Sequence, residues 1–236
     1  MQKISFVVPI YNEEENIPRL VEEILAVAPE LCTDHEILLV DDCSKDHSLH
    51  VIRELAARHP QIRYLSHVRN SGQSAALYTG FQAATGDVII TMDADLQNDP
   101  ADLCQMIKYY GEYDMVNGWR YNRQDSWSKK VASRIGNGFR NWLTRETIHD
   151  TGCSLKIMNA AMLKRIRIYR GLHRFLPTLM RLEGAKVIEV KVNHRQRLYG
   201  VSKYTNLRRG IEGFYDVIAV RWMQSRHLSI EVKKEP

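Results

Sequence analysis

Asp87-Val88-Ile89-Ile90-Thr91-Met92-Asp93-Ala94-Asp95-Leu96-Gln97 is the stretch on which the fold turns. It opens as an apolar strand and ends in two carboxylates spaced i and i+2. Continuous apolarity, without alternation, suits a strand covered on both faces, as in a parallel sheet flanked by helices. In such sheets ligands sit at the carboxyl ends of the strands, where these two acids fall. Working outward, Ile4–Val8 is a similar run ended by Pro9, and Glu36–Val40 is another that runs into Asp41-Asp42. Asn12 with Glu13-Glu14-Glu15 reads as a capped helix start, its acids suited to the positive helix end. A helix over Ser48–Arg58, a strand at Ile62–Ser66, a helix from Ser71 to Ala84, a helix start at Pro100 and a strand at Asp114–Val116 complete an alternating order. That order predicts an α/β protein with an open, mostly parallel sheet and helices on both faces.

The second half is less regular. Ser126–Thr144 and Ala160–Ile168 read as helices, Ala185–Val192 as a strand, Asn193–Lys203 as a polar loop and Thr205 to Arg226 as a last helix. We expect one domain over 1–204, with a nucleotide half (1–118) and a basic half (119–204), and then a C-terminal amphipathic helix and tail (205–236).

Composition narrows the class. The chain has 236 residues, 44% apolar and 26% charged, which is ordinary for a globular protein. No apolar run approaches the roughly 18–20 residues of a membrane span, and the apolar opening is too short for a signal peptide. Cys32, Cys43, Cys104 and Cys153 are scattered without metal-site spacing and read as reduced thiols of a cytosolic protein. Charge is the informative quantity. Residues 1–114 carry 8 Lys/Arg against 19 Asp/Glu, and residues 115–236 carry 25 against 9, giving the overall +5. The second half is therefore expected to face an anion.

Asp93 and Asp95 can meet at one divalent ion, Mg²⁺ or Mn²⁺, with the Gln97 amide oxygen nearby. Tyr11 can stack on a base, and a strand-end carboxylate such as Asp42 can accept from a base N–H or a ribose hydroxyl. Val7-Val8-Pro9-Ile10-Tyr11-Asn12-Glu13, Val40-Asp41-Asp42-Cys43-Ser44-Lys45-Asp46, Arg69-Asn70-Ser71-Gly72-Gln73 and Met92-Asp93-Ala94-Asp95-Leu96-Gln97 occur in order. This combination resembles family 2 glycosyltransferases of the GT-A nucleotide-sugar fold. The resemblance implies a UDP- or GDP-sugar donor, a divalent metal and inversion at the anomeric carbon. Pro9, Tyr11, Glu13, Asp42 and Gln73 would then bind donor, and Asp93, Asp95 and Gln97 would surround the metal.

The acceptor is read from the basic half. Between 119 and 145 stand Arg120, Arg123, Lys129, Lys130, Arg134, Arg140 and Arg145, with Asp125 the only acid. Arginine forks bind phosphate oxygens bidentately. Gly118-Trp119-Arg120, Ser133-Arg134, His149-Asp150-Thr151-Gly152-Cys153-Ser154 and Arg197-Leu198-Tyr199-Gly200-Val201-Ser202-Lys203-Tyr204 resemble the polyprenyl-phosphate, dolichyl-phosphate mannosyltransferase-like branch. That match implies Arg120 and Arg134 on a lipid phosphate, with Arg197, Ser202 and Lys203 closing over donor or acceptor phosphates. A phosphate monoester is already anionic at neutral pH and needs no strong base. A sugar hydroxyl would need one, and Asp150 is the candidate, although it serves equally to anchor an arginine or cap a turn. Leu207, Ile211, Phe214, Tyr215, Ile218 and Trp222 recur near helical spacing among arginines, as in a helix lying on an anionic membrane. Many relatives in this branch continue into transmembrane helices, whereas this sequence stops at Pro236. The expected setting is the cytoplasmic face of the membrane, with a membrane-protein partner or a second copy assisting. The rival readings are transfer to a saccharide hydroxyl, a nucleotidyltransferase and a nucleic-acid-binding module. The last two lack a glycine-rich phosphate loop and a recognised nucleic-acid motif, respectively, and no nucleic-acid partner is expected.

Overall fold

The computed structural model describes residues 2–121, 138–167, 169–197 and 206–228, with backbone only for Leu172 and 206–211. Four parallel strands form the first part of the sheet: β1 (Ile4–Ile10), β2 (His35–Asp41), β3 (Ile62–Ser66) and β4 (Val88–Thr91). Helices α1 (Ile17–Leu31), α2 (Ser48–Arg58) and α3 (Gln73–Ala83) connect them. A short helical run, Pro100–Asp102 then α4 (Leu103–Met106), leads to β5 (Met115–Arg120). Helix α5 (138–144), β6 (Lys156–Asn159), α6 (Ala160–Leu163), a 3₁₀ turn at Leu172–Phe175, α7 (Leu176–Leu182), β7 (Val187–Val192) and α8 (Asn206–Arg226) follow.

The seven strands lie in the order β3-β2-β1-β4-β6-β5-β7. Among the described strands β6 alone runs against its neighbours, β4 and β5. The sequence reading missed this strand because Lys156-Ile157-Met158-Asn159 is short and carries a lysine at its start. Alternate residues of β1 feed opposite layers. Phe6, Val8 and Ile10 join the core under α1 and α2, whereas Val7 joins the core under α3, α6, α7 and α8. Helix α3 presses on the sheet at Gly80, where a Cβ would come within 2.3 Å of Val7 Cγ1. Only glycine allows that approach.

Several local expectations change. Helix α1 begins at Ile17, so Glu13–Glu15 precede it, and Asn16 at the N-cap makes no side-chain cap bond. Asn12 instead adopts φ 54°, a conformation asparagine tolerates in tight turns. The helix read over Ala160–Ile168 is a single turn, Ala160–Leu163. Helix α7 was not expected. All four cysteines are free thiols, with Cys32 and Cys153 buried and the other two half-buried. No described helix is long and apolar enough to cross a membrane.

Candidate active site

Register brings the polar clusters to one edge. Ile10 lies beside Asp41, Asp41 beside Ser66, and Val7 beside Thr91, so residues 11–13, 42–44, 67–72 and 93–97 all emerge at the same end of the sheet. The first two loops are laced together. The amides of Asn12 and Glu13 donate to Ser44 Oγ and Ser48 Oγ, each at 2.9 Å, and Lys45 N donates to Asn12 Oδ1 at 2.7 Å. Pro9, Tyr11 and Glu13 are half-buried at the rim of this cleft.

Asp42 is buried, and its carboxylate points into the following loop. It accepts from Ser71 N at 2.8 Å, Gly72 N at 2.7 Å and His67 Nδ1 at 2.8 Å. A carboxylate offers about four acceptor positions, so one remains for a further donor. Asp42 thereby sets Gly72 (φ 87°) at the start of α3. Gln73, the next residue, donates through Nε2 to Asp93 Oδ1 at 2.7 Å. Gln73 was expected on the donor; here it orients an acid. His67 bridges Asp42 and Thr79 Oγ1 and was not foreseen, since a lone histidine carries no pattern.

Asp93 and Asp95 open a turn in which the next residue, Leu96, has φ 59°. Burial and the Asp95 carboxylate push the Asp93 pKa up to about 6, against the opposing effects of Ser154, Arg120 and Lys156. Two acids crowded in this way repel each other, and a bound cation relieves that repulsion. Joined by the Gln97 amide oxygen, they would make an all-oxygen donor set suited to Mg²⁺ or Mn²⁺, which keep several waters and bind substrate phosphates. Among the described residues no group of three or more His, Cys, Asp or Glu converges, so the remaining positions would fall to water and the donor. Arg197 Nη2 donates to Asp95 Oδ2 at 2.7 Å, and although burial opposes it, this bond and the Asp95 charge raise the arginine's pKa.

Arg195 spends its charge within the protein. It pairs with Glu23 at 2.6 Å and Asp99 at 2.7 Å, and its amide donates to Gln97 O. Arg140 is likewise used within the protein: buried, it donates to Thr151 Oγ1 at 2.6 Å and Ile148 O at 2.7 Å. Trp119 stacks on His149 with ring centroids 4.4 Å apart.

Arg120 and Asp150 form a bidentate pair, Nε–Oδ2 2.7 Å and Nη2–Oδ1 2.9 Å, and the Arg120 amide also donates to Oδ2. Burial would raise the Asp150 pKa, but the Arg120 bonds and charge hold it below the ordinary value. Of the roles open to Asp150, the geometry is that of an arginine anchor, and a carboxylate so engaged is a weak base. Arg123, Lys129, Lys130 and Arg134, together with Ser202, Lys203 and the rest of the 198–204 motif, lie outside the described residues.

The glycosyl transferase family 2 model matches residues 5–167 of this sequence. The chain belongs to that family. Its fold is the GT-A fold. A structure of glucosyl-3-phosphoglycerate synthase from Mycobacterium tuberculosis with Mn²⁺, UDP and phosphoglyceric acid superposes with TM-score 0.69 at 20% identity, covering 97% of this chain and 80% of that one. Mannosyl-3-phosphoglycerate synthase from Rubrobacter xylanophilus gives TM-score 0.68 at 18% identity, covering 100% and 79%. A mannosyltransferase from Pyrobaculum calidifontis with GDP-Man and Mn²⁺ gives 0.64 at 17%, covering 97% and 65%. The family match ends near α6, so the last 69 residues, with β7, the 193–197 segment and α8, lie beyond it.

Proposed function

We propose that this family 2 glycosyltransferase moves a sugar from a UDP- or GDP-sugar to a polyprenyl phosphate at the cytoplasmic membrane face, in the dolichyl-phosphate mannosyltransferase-like manner. Tyr11, Glu13 and Asp42 hold the nucleoside, with Pro9 shaping the turn beneath it. Asp93, Asp95 and Gln97 hold Mg²⁺ or Mn²⁺, which when bound neutralises charge on the donor diphosphate. Arg120 and Arg134 orient the acceptor phosphate, and Arg197, Ser202 and Lys203 close over the phosphates. A phosphate oxygen bonds to the anomeric carbon from the face opposite the leaving group. The bond from that carbon to the diphosphate oxygen breaks, its electron pair stays on the diphosphate, and configuration inverts.

The observation that carries the acceptor assignment is the Arg120–Asp150 pair. The nominated base is spent on an arginine, which favours an acceptor that arrives already ionised. A membrane-borne acceptor is supported by the surface around α8. Phe214, Tyr215, Ile218 and Trp222 are exposed on one face, and Phe139 of α5 stacks on Phe214 at 5.7 Å with Trp142 beside it. Large exposed aromatic patches next to an arginine, here Trp222 beside Arg226, suit an anionic lipid surface. A soluble phosphorylated acceptor is the second reading, favoured by the phosphoglyceric acid bound to the M. tuberculosis enzyme.

The test is a transfer assay across UDP- and GDP-sugars with Mn²⁺ or Mg²⁺, offering a short-chain polyprenyl phosphate, 3-phosphoglycerate or a saccharide. Lipid-linked product with one donor, lost in Asp95→Ala and Arg134→Ala, is expected. Product only with 3-phosphoglycerate or only with a saccharide overturns the lipid acceptor.

A further inference from the structure

Lys156 is a buried charge outside the roles assigned so far. It is 2% exposed, on β6 between Thr91 of β4 and Asn117 of β5, beneath the acidic turn. Its ammonium donates to three neutral oxygens: Asn117 Oδ1 at 2.8 Å, Thr151 O at 3.4 Å and Cys153 O. Among the described residues no carboxylate lies within ion-pair distance of it, and burial lowers its pKa against the opposing charges of Asp150 and Asp93 farther off. A charge placed against neutral acceptors is a costly way to fill a core position that a methionine would fill without desolvation. What the ammonium supplies is convergence. Two carbonyls of one loop and a side chain of the neighbouring strand point at a single centre, as they would at a structural cation.

That loop, 150–154, has two working ends. At one end Asp150 holds the Arg120 guanidinium, and Gly152 lies so close that a Cβ would come within 3.1 Å of Arg120 Nη2. At the other end Ser154 Oγ accepts from Asp93 N at 3.1 Å and donates to Asn98 Oδ1 at 2.6 Å, while Ser154 O accepts from Thr91 Oγ1 at 2.7 Å. The first end has further supports: Glu189 accepts from the amides of His149 and Asp150, Arg140 holds Thr151, and Asn117, whose Oδ1 accepts from Lys156, donates through Nδ2 to Asp150 O. The carbonyl before Ser154 depends on Lys156.

We propose that Lys156 is a positioning residue that fixes the 150–154 loop so that one segment sets both the phosphate arginine, Arg120, and the acidic turn 93–97. The inference rests on the reading that this turn holds the divalent cation. It makes the metal side and the acceptor side of the site a single mechanical unit.

The test uses the full chain with Lys156→Met, or Lys156→Gln if the first does not fold. Mn²⁺ binding is followed by loss of the free-ion paramagnetic resonance signal in the presence of UDP, and in a parallel series with GDP. Outer supports of metal sites typically matter by about 10- to 100-fold in affinity. We therefore expect Mn²⁺ affinity to fall at least about tenfold, with a rise in acceptor KM. Ser154→Ala should weaken Mn²⁺ and leave acceptor KM near wild type, whereas Asp150→Asn should do the reverse. Lys156→Met combined with Ser154→Ala should bind Mn²⁺ no more weakly than the worse single variant, because both act through one contact path. Wild-type Mn²⁺ affinity in the folded Lys156 variant, or losses that multiply in the double variant, would overturn the proposal. An Asp95→Ala control with undiminished Mn²⁺ affinity would remove the underlying metal reading, and the proposal with it.

Discussion

Replacing Asp150 with asparagine separates an anchor from a base. The side chains of Arg120 and Asp150 are only 16% and 10% exposed, and they share two hydrogen bonds. Removing one member of a buried pair leaves the other charge uncompensated, a loss of about 3–5 kcal/mol. Asparagine keeps one acceptor oxygen for the guanidinium, so the lower end, about 3 kcal/mol, is expected. For a chain of this length that corresponds to a drop of roughly 6–12 °C in Tm. Linkage fixes the pH dependence. The folded Asp150 pKa lies below the ordinary aspartate value, so its stabilisation is fully present above the unfolded pKa and is lost as pH falls through the folded one. Urea midpoints of wild type and Asp150→Asn should therefore differ at pH 7 and converge in acid. In transfer assays acceptor KM should rise, while kcat falls less than tenfold and does not recover at high pH. Equal urea midpoints with a collapsed kcat would refute the anchoring argument and restore Asp150 as a base.

Other outcomes follow from neighbouring geometry. Asp93→Asn should raise Tm in EDTA at pH 7.5, because the folded acid ionises only near pH 6. The gain should shrink from pH 6 toward 4, as wild-type Asp93 takes up its proton, and Mn²⁺ with nucleotide should stabilise wild type alone. Gly80→Ala should lower stability by about 1–3 kcal/mol in urea unfolding despite better helix propensity, and a second change, Val7→Ala, should return part of it. Phe214→Ser with Trp222→Ser should abolish flotation with vesicles rich in phosphatidylglycerol without changing donor affinity. Flotation equal to wild type would place lipid contact elsewhere.

The sheet's first part was legible because burial on both faces leaves unbroken apolar runs, and because residues that are poor strand formers, such as Pro9, Asp42 and Asp93, stand at or near the end of each run. The acidic turn and the rim at Tyr11 could be placed from those ends alone. Boundaries at α1 slipped because a chain of glutamates after Asn12 imitates a capped helix, while the backbone spends Asn12 on a left-handed turn. Arg140 and Arg195 show a different limit. Composition marks them as cationic, yet whether a guanidinium meets Ile148 O, Glu23 or a ligand is decided by tertiary packing. Lys156 escaped notice for the same reason, since a lysine at the start of four residues signals an exposed edge more readily than the middle of a sheet.

The reversed strand β6 also bears on how the chain is made. Its pairing partner β4 ends at Thr91, but the segment that covers that edge runs from Lys156 to Asn159. During synthesis at about 5–20 residues per second, β4 therefore waits on the order of 3–14 s with a row of unpaired amides and carbonyls. Over that interval the nascent N-terminal half offers an apolar, open-edged sheet to other chains. Asp93 and Asp95, directly beyond that strand's end, bring charge to the end of an otherwise sticky strand well before its edge is covered.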